Sequence, residues 1–165
     1  MSSTLKNTGE IPESNASNNK LTFVLVNFSL VISAVLLFSL SFPSFLSKWG
    51  LGPVGFIALT PLFILVRRSS WKTIWLYGFL YGLGSYGLFN YWLAKFHPLS
   101  IFIVPLIFAV YFTLFLPMLK LADRIFPRFS FLLFPLLWTG YEFARTQGFL
   151  GYPYGNIGYS QYLFI

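Results

Sequence analysis

Residues 21–40 carry no charge and are filled mostly by Leu, Val, Phe, Ile and Ser. At about 1.5 Å per residue, a helix of this length crosses the roughly 30 Å hydrocarbon core of a bilayer. Each Leu, Ile, Val or Phe favours insertion by about 0.3–0.6 kcal/mol, and the sum outweighs Asn27 and the scattered serines. The run is too long for the apolar core of a cleaved signal peptide, so it reads as an uncleaved anchor. Further apolar stretches follow at about 51–66, 73–93, 99–119 and 129–146. Only 9% of the 165 residues are charged, against about 25% in a soluble domain. A globule of this size has no interior large enough for so much apolar surface. The expected fold class is an all-α integral membrane protein with about five transmembrane helices.

The formal charge of +7 would suit nucleic acid if the cations formed a patch, but they sit in short gaps between apolar runs. The tail and alternate connections hold Lys6, Lys20, Arg67, Arg68, Lys72, Lys120, Arg124 and Arg128, while the opposite connections hold Lys48, Lys95 and Arg145. The positive-inside bias therefore places the N-terminus in the cytoplasm and the last loop outside. Residues 1–20, rich in Ser and Asn, are expected to be a disordered polar tail. With no cysteine, the chain has no disulfide, thiolate metal site or cysteine nucleophile. One histidine and four acids make a metal site improbable, and no cofactor is expected. His97, beside Pro98, reads as a solvated loop residue rather than a proton relay.

The spans differ in quality. The stretch at 51–66 is short and contains Pro61; Pro43 and Gly50 break the chain before it, and Trp49 suits a headgroup boundary. Gly78 and Gly82 in the third span have the GxxxG spacing that lets helix backbones approach closely; a lipid-tail groove is the other use for them. Pro105 and Pro117 permit kinks in the fourth.

The chemistry-bearing residues gather near the end. Glu142 and Arg145 are three apart, so on a helix they share a face and are expected to form an ion pair. Such a pair either marks the membrane boundary and snorkels to water, or fixes the following loop or meets a lipid headgroup. That loop is dense in Gly148, Gly151, Gly155 and Gly158, is stiffened by Pro153, and carries Tyr152, Tyr154 and Tyr159. The tyrosines suit an interfacial belt or a shaped mouth for a lipid. Ser160 has no histidine or lysine near it in sequence to make it a nucleophile.

The block Pro135-x-x-Trp138-x-x-x-Glu142-Phe-x-Arg145, followed by Gly151-Tyr-Pro153-Tyr154 and Gly158-Tyr159-Ser160-Gln161, closely resembles the apolipoprotein N-acyltransferase family. Leu40-Ser-Phe-Pro43 and the glycine-rich span ending in Tyr91-Trp92 resemble it too, so the likeness covers roughly residues 38–165. The resemblance implies a multi-pass enzyme of the bacterial inner membrane that matures lipoproteins. It would move an acyl chain from a phospholipid to the α-amine of an apolipoprotein's N-terminal, diacylglyceryl-modified cysteine. It implies a thioester on a cysteine, a glutamate base and an assisting lysine, all in a nitrilase-like domain outside the membrane. That domain has no counterpart in these residues, so the chain is expected to be a truncated or split piece, inactive alone, with the nitrilase-like domain on a separate partner chain. By the same resemblance, Gly151, Tyr152, Pro153, Tyr154, Tyr159, Ser160 and Gln161 form the substrate entrance, with Tyr154 in place of the family's usual tryptophan. A non-enzymatic membrane scaffold or lipid-binding remnant is the alternative. A small transporter or channel fits less well, because the spans hold almost no charge to line an ion path.

Overall fold

The structure, a computed structural model, describes residues 13–44, 46, 48–148 and 151–164. Among them every regular element is helical. Helix α1 runs Glu13–Ser41, α2 Gly55–Ala58, α3 Thr60–Arg68, α4 Ile74–Phe89, α5 Ser100–Ile125 and α6 Ser130–Arg145. Short 3-10 segments at Gly52–Val54, Tyr91–Lys95 and Ile157–Phe164 complete the chain. Helix α1 begins inside the stretch expected to be a disordered tail; residues 1–12 lie outside the described residues.

Two helical segments are long and apolar enough to cross a membrane, Asn18–Ser41 with 24 residues and Ser100–Ile125 with 26. Helix α5 runs unbroken through Pro105 and Pro117. The 16-residue helices α4 and α6 would each reach about 24 Å. The stretch expected as the second span is not one helix. Pro61 lacks the N–H that would continue the ladder, so the chain breaks at Leu59 and restarts with the proline in the first turn of α3.

The helices are lipophilic on the outside as well as within. On α1, Asn27, Val31, Ala34 and Phe38 are buried along one face, while Leu21, Leu25, Ile32 and Leu36 stand exposed. Phe102, Ile103 and Leu106 on α5 and Phe131, Leu132 and Leu136 on α6 are also exposed. Surface apolar patches of this extent need a non-aqueous neighbour.

Helices α4 and α5 form the centre. A Cβ on Gly78 would strike the Phe112 carbonyl, and one on Gly82 the Phe108 carbonyl. The glycine stripe is therefore taken up by backbone approach and leaves no room there for a lipid tail. Around this contact lies an aromatic core. Tyr86 and Phe108 stack with centroids 3.6 Å apart, and Phe112 meets Tyr81 at 4.9 Å and Trp138 at 5.6 Å.

The two ends of the bundle have different chemistry. At one, Arg67 pairs with Asp123 at 3.4 Å, Lys120 Nζ donates to the Arg67 carbonyl at 2.9 Å, and Ser130 Oγ donates to Asp123 at 2.6 Å. These contacts bring the two basic connections together and tie the ends of α3 and α5 to the start of α6. The other end gathers the turn after α1, the segment after α4 and the loop after α6.

A guanidinium-clamped loop as the candidate functional site

Arg145 closes the last turn of α6 and is only 7% exposed. Its Nη1 donates to the carbonyls of Tyr152 and Tyr154, both at 2.9 Å, and its Nη2 donates to Asn156 Oδ1. The guanidinium carbon lies 5.7 Å from the ring centroid of Tyr86 and 5.4 Å from that of Phe108. One side chain thus fixes three loop residues while resting on the stacked pair at the centre of the bundle.

Glu142 works beside it. Its Oε1 accepts from Trp138 Nε1 at 2.9 Å and from the backbone N–H of Ile157 at 2.7 Å. The expected ion pair is not a direct one, because the two side chains are not in salt-bridge contact. Each turns instead toward a different part of the returning loop, whose backbone groups would otherwise be left without partners in a partly dry setting. Carboxylate and guanidinium hold the loop in parallel.

The loop has further anchors. Tyr152 N–H donates to the Arg145 carbonyl at 2.9 Å, and Tyr152 Oη donates to Asn90 Oδ1 at 2.6 Å. Burial pushes the Tyr152 phenol up to about 12, with Arg145 opposing and Tyr154 adding to the rise, so it stays a donor at neutral pH. Gly155 has φ +79°, and any Cβ there would press on the Phe89 ring and the Tyr86 hydroxyl. Ser160 is buried and its Oγ donates to the Ile157 carbonyl at 2.7 Å. Gln161 Nε2 donates to the Gly52 carbonyl and to Ser160 Oγ. Gly55 leaves the space that Ser160 and Gln161 fill.

The predicted site residues therefore divide. Tyr152, Ser160 and Gln161 turn inward and hold the loop, and Gly151 packs against the Thr146 carbonyl. Pro153 is exposed, as are Tyr154 and Tyr159. The two tyrosines join Phe42, Pro43, Phe89 and Trp92 around a cavity of about 510 Å³. Trp92 meets Tyr154 edge-on at 5.5 Å. His97 is exposed outside this cluster, its Nδ1 accepting from the Leu99 N–H at 3.2 Å. Sequence reasoning missed Asn90 and Asn156; the available signals were one amide at the end of an apolar stretch and another between loop glycines.

An apolar helical bundle with two helices long enough to cross a membrane, carrying a clamped aromatic loop at one end, fits a membrane protein. The family model of the apolipoprotein N-acyltransferase N-terminal domain matches residues 33–165. The apolipoprotein N-acyltransferase 1 of Treponema denticola is 38% identical over 146 residues, covering 88% of this chain and 27% of the relative. That of Treponema pallidum is 42% identical over 138 residues, covering 84% and 25%. The apolipoprotein N-acyltransferase of Geobacter metallireducens is 33% identical over 142 residues, covering 80% and 26%. No solved structure matches significantly. The chain belongs to the apolipoprotein N-acyltransferase family, through the N-terminal domain of that family. It spans about a quarter of the length of the curated relatives it matches.

Proposed function

We propose that these residues are the membrane-embedded N-terminal portion of an apolipoprotein N-acyltransferase of the bacterial inner membrane. The chain crosses the membrane five times from a cytoplasmic N-terminus, with the Arg67–Asp123 end on the cytoplasmic side and the clamped loop on the outer side. The loop and its aromatic mouth, with Tyr154 and Tyr159 at the rim, receive the substrates. These are a phospholipid that gives an acyl chain and an apolipoprotein whose N-terminal cysteine amine takes it. The thioester chemistry belongs to a nitrilase-like domain on polypeptide outside these 165 residues, since they contain no cysteine. Gly151, Tyr152, Pro153, Tyr154, Tyr159, Ser160 and Gln161 shape the entrance, and Glu142 and Arg145 keep it in shape.

The observation that carries this reading is the polarity of the bundle. Both basic connections meet at one end, and the loop is held by buried charged groups at the other. Lipid acyl transfer needs a rigid opening at the interface, because a misplaced reacting group loses rate steeply. A reporter fused after Gln161 should be exported. A cytoplasmic signal from that fusion refutes the five-span topology. Joined to the remaining three-quarters of the Treponema denticola relative, the chain should support N-acylation of a diacylated lipopeptide. An inserted chimera with no turnover refutes the functional reading.

A further inference from the structure

The aromatic mouth has a lining of one kind. Apart from Pro43 and Gly155, every residue around it carries an aromatic ring. The rings meet at steep angles. Trp92 and Tyr154 cross at 68° with centroids 5.5 Å apart, and Phe42 and Phe89 at 60° and 5.0 Å. They therefore turn π faces in several directions around one space. Tyr154 and Tyr159, at the rim, are more than half exposed, so a ligand reaches these rings from outside.

No charged side chain lines this space. Arg145 spends its terminal nitrogens on the loop, and Lys48 and Lys95 are exposed away from the lining. A phosphate would find no cation there. Glu142 is turned to Trp138 and Ile157, so it offers the mouth no carboxylate. What remains is the attraction of ring faces for a cation, strongest for Trp. A phospholipid headgroup brings a phosphate that this lining cannot pair, whereas a peptide N-terminus brings an ammonium alone. A carboxylate beside that ammonium would raise its pKa. Ring faces hold it more weakly and leave it easier to deprotonate, as an acyl acceptor must be.

We propose that the mouth is a cation–π cage for the α-ammonium of the acyl acceptor, with Trp92, Tyr154 and Tyr159 as its faces. This rests on the reading of the mouth as the substrate entrance, and gives it to the acceptor rather than the donor. Acylation removes the charge, so the product loses its hold on the cage. The test uses the full chain in nanodiscs of phosphatidylglycerol at about pH 6, below the usual range of an α-amine, with isotope-labelled indoles observed by NMR. Trp92→Leu identifies the Trp92 signal by removing it. A diacylated lipopeptide with a free N-terminal amine should shift that signal at about tenfold lower concentration than its N-acetylated form. Tyr154→Leu should cut this preference to about threefold, and Tyr154→Trp should keep or widen it. Phe143→Leu removes an exposed ring outside the mouth and should leave the preference unchanged. Equal midpoints for the two lipopeptides, or a preference untouched by Tyr154→Leu, overturn the cage alone. A preference that vanishes when phosphatidylethanolamine replaces phosphatidylglycerol gives the mouth to the donor's headgroup and overturns the acceptor assignment. A Trp92 signal that neither lipopeptide shifts overturns the entrance reading and the cage together.

Discussion

Replacing Arg145 by alanine removes three loop contacts at once, those to the Tyr152 and Tyr154 carbonyls and to Asn156. Hydrogen bonds to a charged group contribute about 1.5–3 kcal/mol each, so the gross loss is about 4.5–9 kcal/mol. Part of it returns, because Tyr154 is already half exposed and water can reach freed carbonyls there. A net cost of about 3 kcal/mol to the closed loop remains, which is roughly 100-fold in its opening equilibrium. The loss is local, since the stacking of Tyr86 on Phe108 and the α4–α5 glycine contact do not depend on the guanidinium. Hydrogen exchange on the full chain in detergent reads this directly. The amides of Tyr152 and Ile157, bonded to the Arg145 carbonyl and to Glu142, should exchange about 100-fold faster, while those of α5 stay protected. Arg145→Lys should fall between, because one ammonium cannot span the same acceptors as a planar fork. Unchanged exchange at Tyr152 and Ile157 in the alanine variant would refute the clamp. Equal loss throughout α4 and α5 would show that Arg145 holds the bundle rather than the loop.

Glu142→Gln keeps an acceptor for Trp138 and Ile157 and should cost under about 1 kcal/mol, whereas Glu142→Leu leaves both donors bare and should cost about 2–3 kcal/mol. Stability in mixed detergent–denaturant titrations separates the two, and equal losses would argue that the charge itself matters. Gly82→Ala drives a methyl into the Phe108 carbonyl and should cost about 1–3 kcal/mol by prising α4 from α5; a neutral result would mean that the helices can slide apart freely. Asn27 is wholly buried with neither amide atom partnered. Asn27→Leu should therefore raise the stability read in the same titration by about 1–2 kcal/mol, and a loss of stability would point to a partner for the amide.

Hydropathy made the two long apolar helices, Asn18–Ser41 and Ser100–Ile125, readable, because length and lack of charge are properties of the sequence itself. It did not show that the stretch at 51–66 is built as two short helices, Gly55–Ala58 and Thr60–Arg68, interrupted at Leu59. The GxxxG pair announced close packing, and Phe108 and Phe112 supplied the partner backbone. The spacing of Glu142 and Arg145 correctly put both on one face of α6 but suggested that they would pair. Their actual partners are mostly backbone groups of Tyr152, Tyr154 and Ile157, and a carbonyl or amide has no residue-type signature. Asn90 joins the loop only because Tyr152 folds back across a separation of 62 residues, a proximity that no local pattern encodes.

The bond from Gln161 to the Gly52 carbonyl joins positions 109 apart, and Gly55 is shaped for the same arrival. During synthesis, at roughly 5–20 residues per second, the early segment therefore waits about 5–20 s for its late partner. Throughout that interval the Gly52 carbonyl and the space beside Gly55 lack the partners that Gln161 and Ser160 later supply. This corner of the bundle is therefore completed only after the loop that follows α6 has been made.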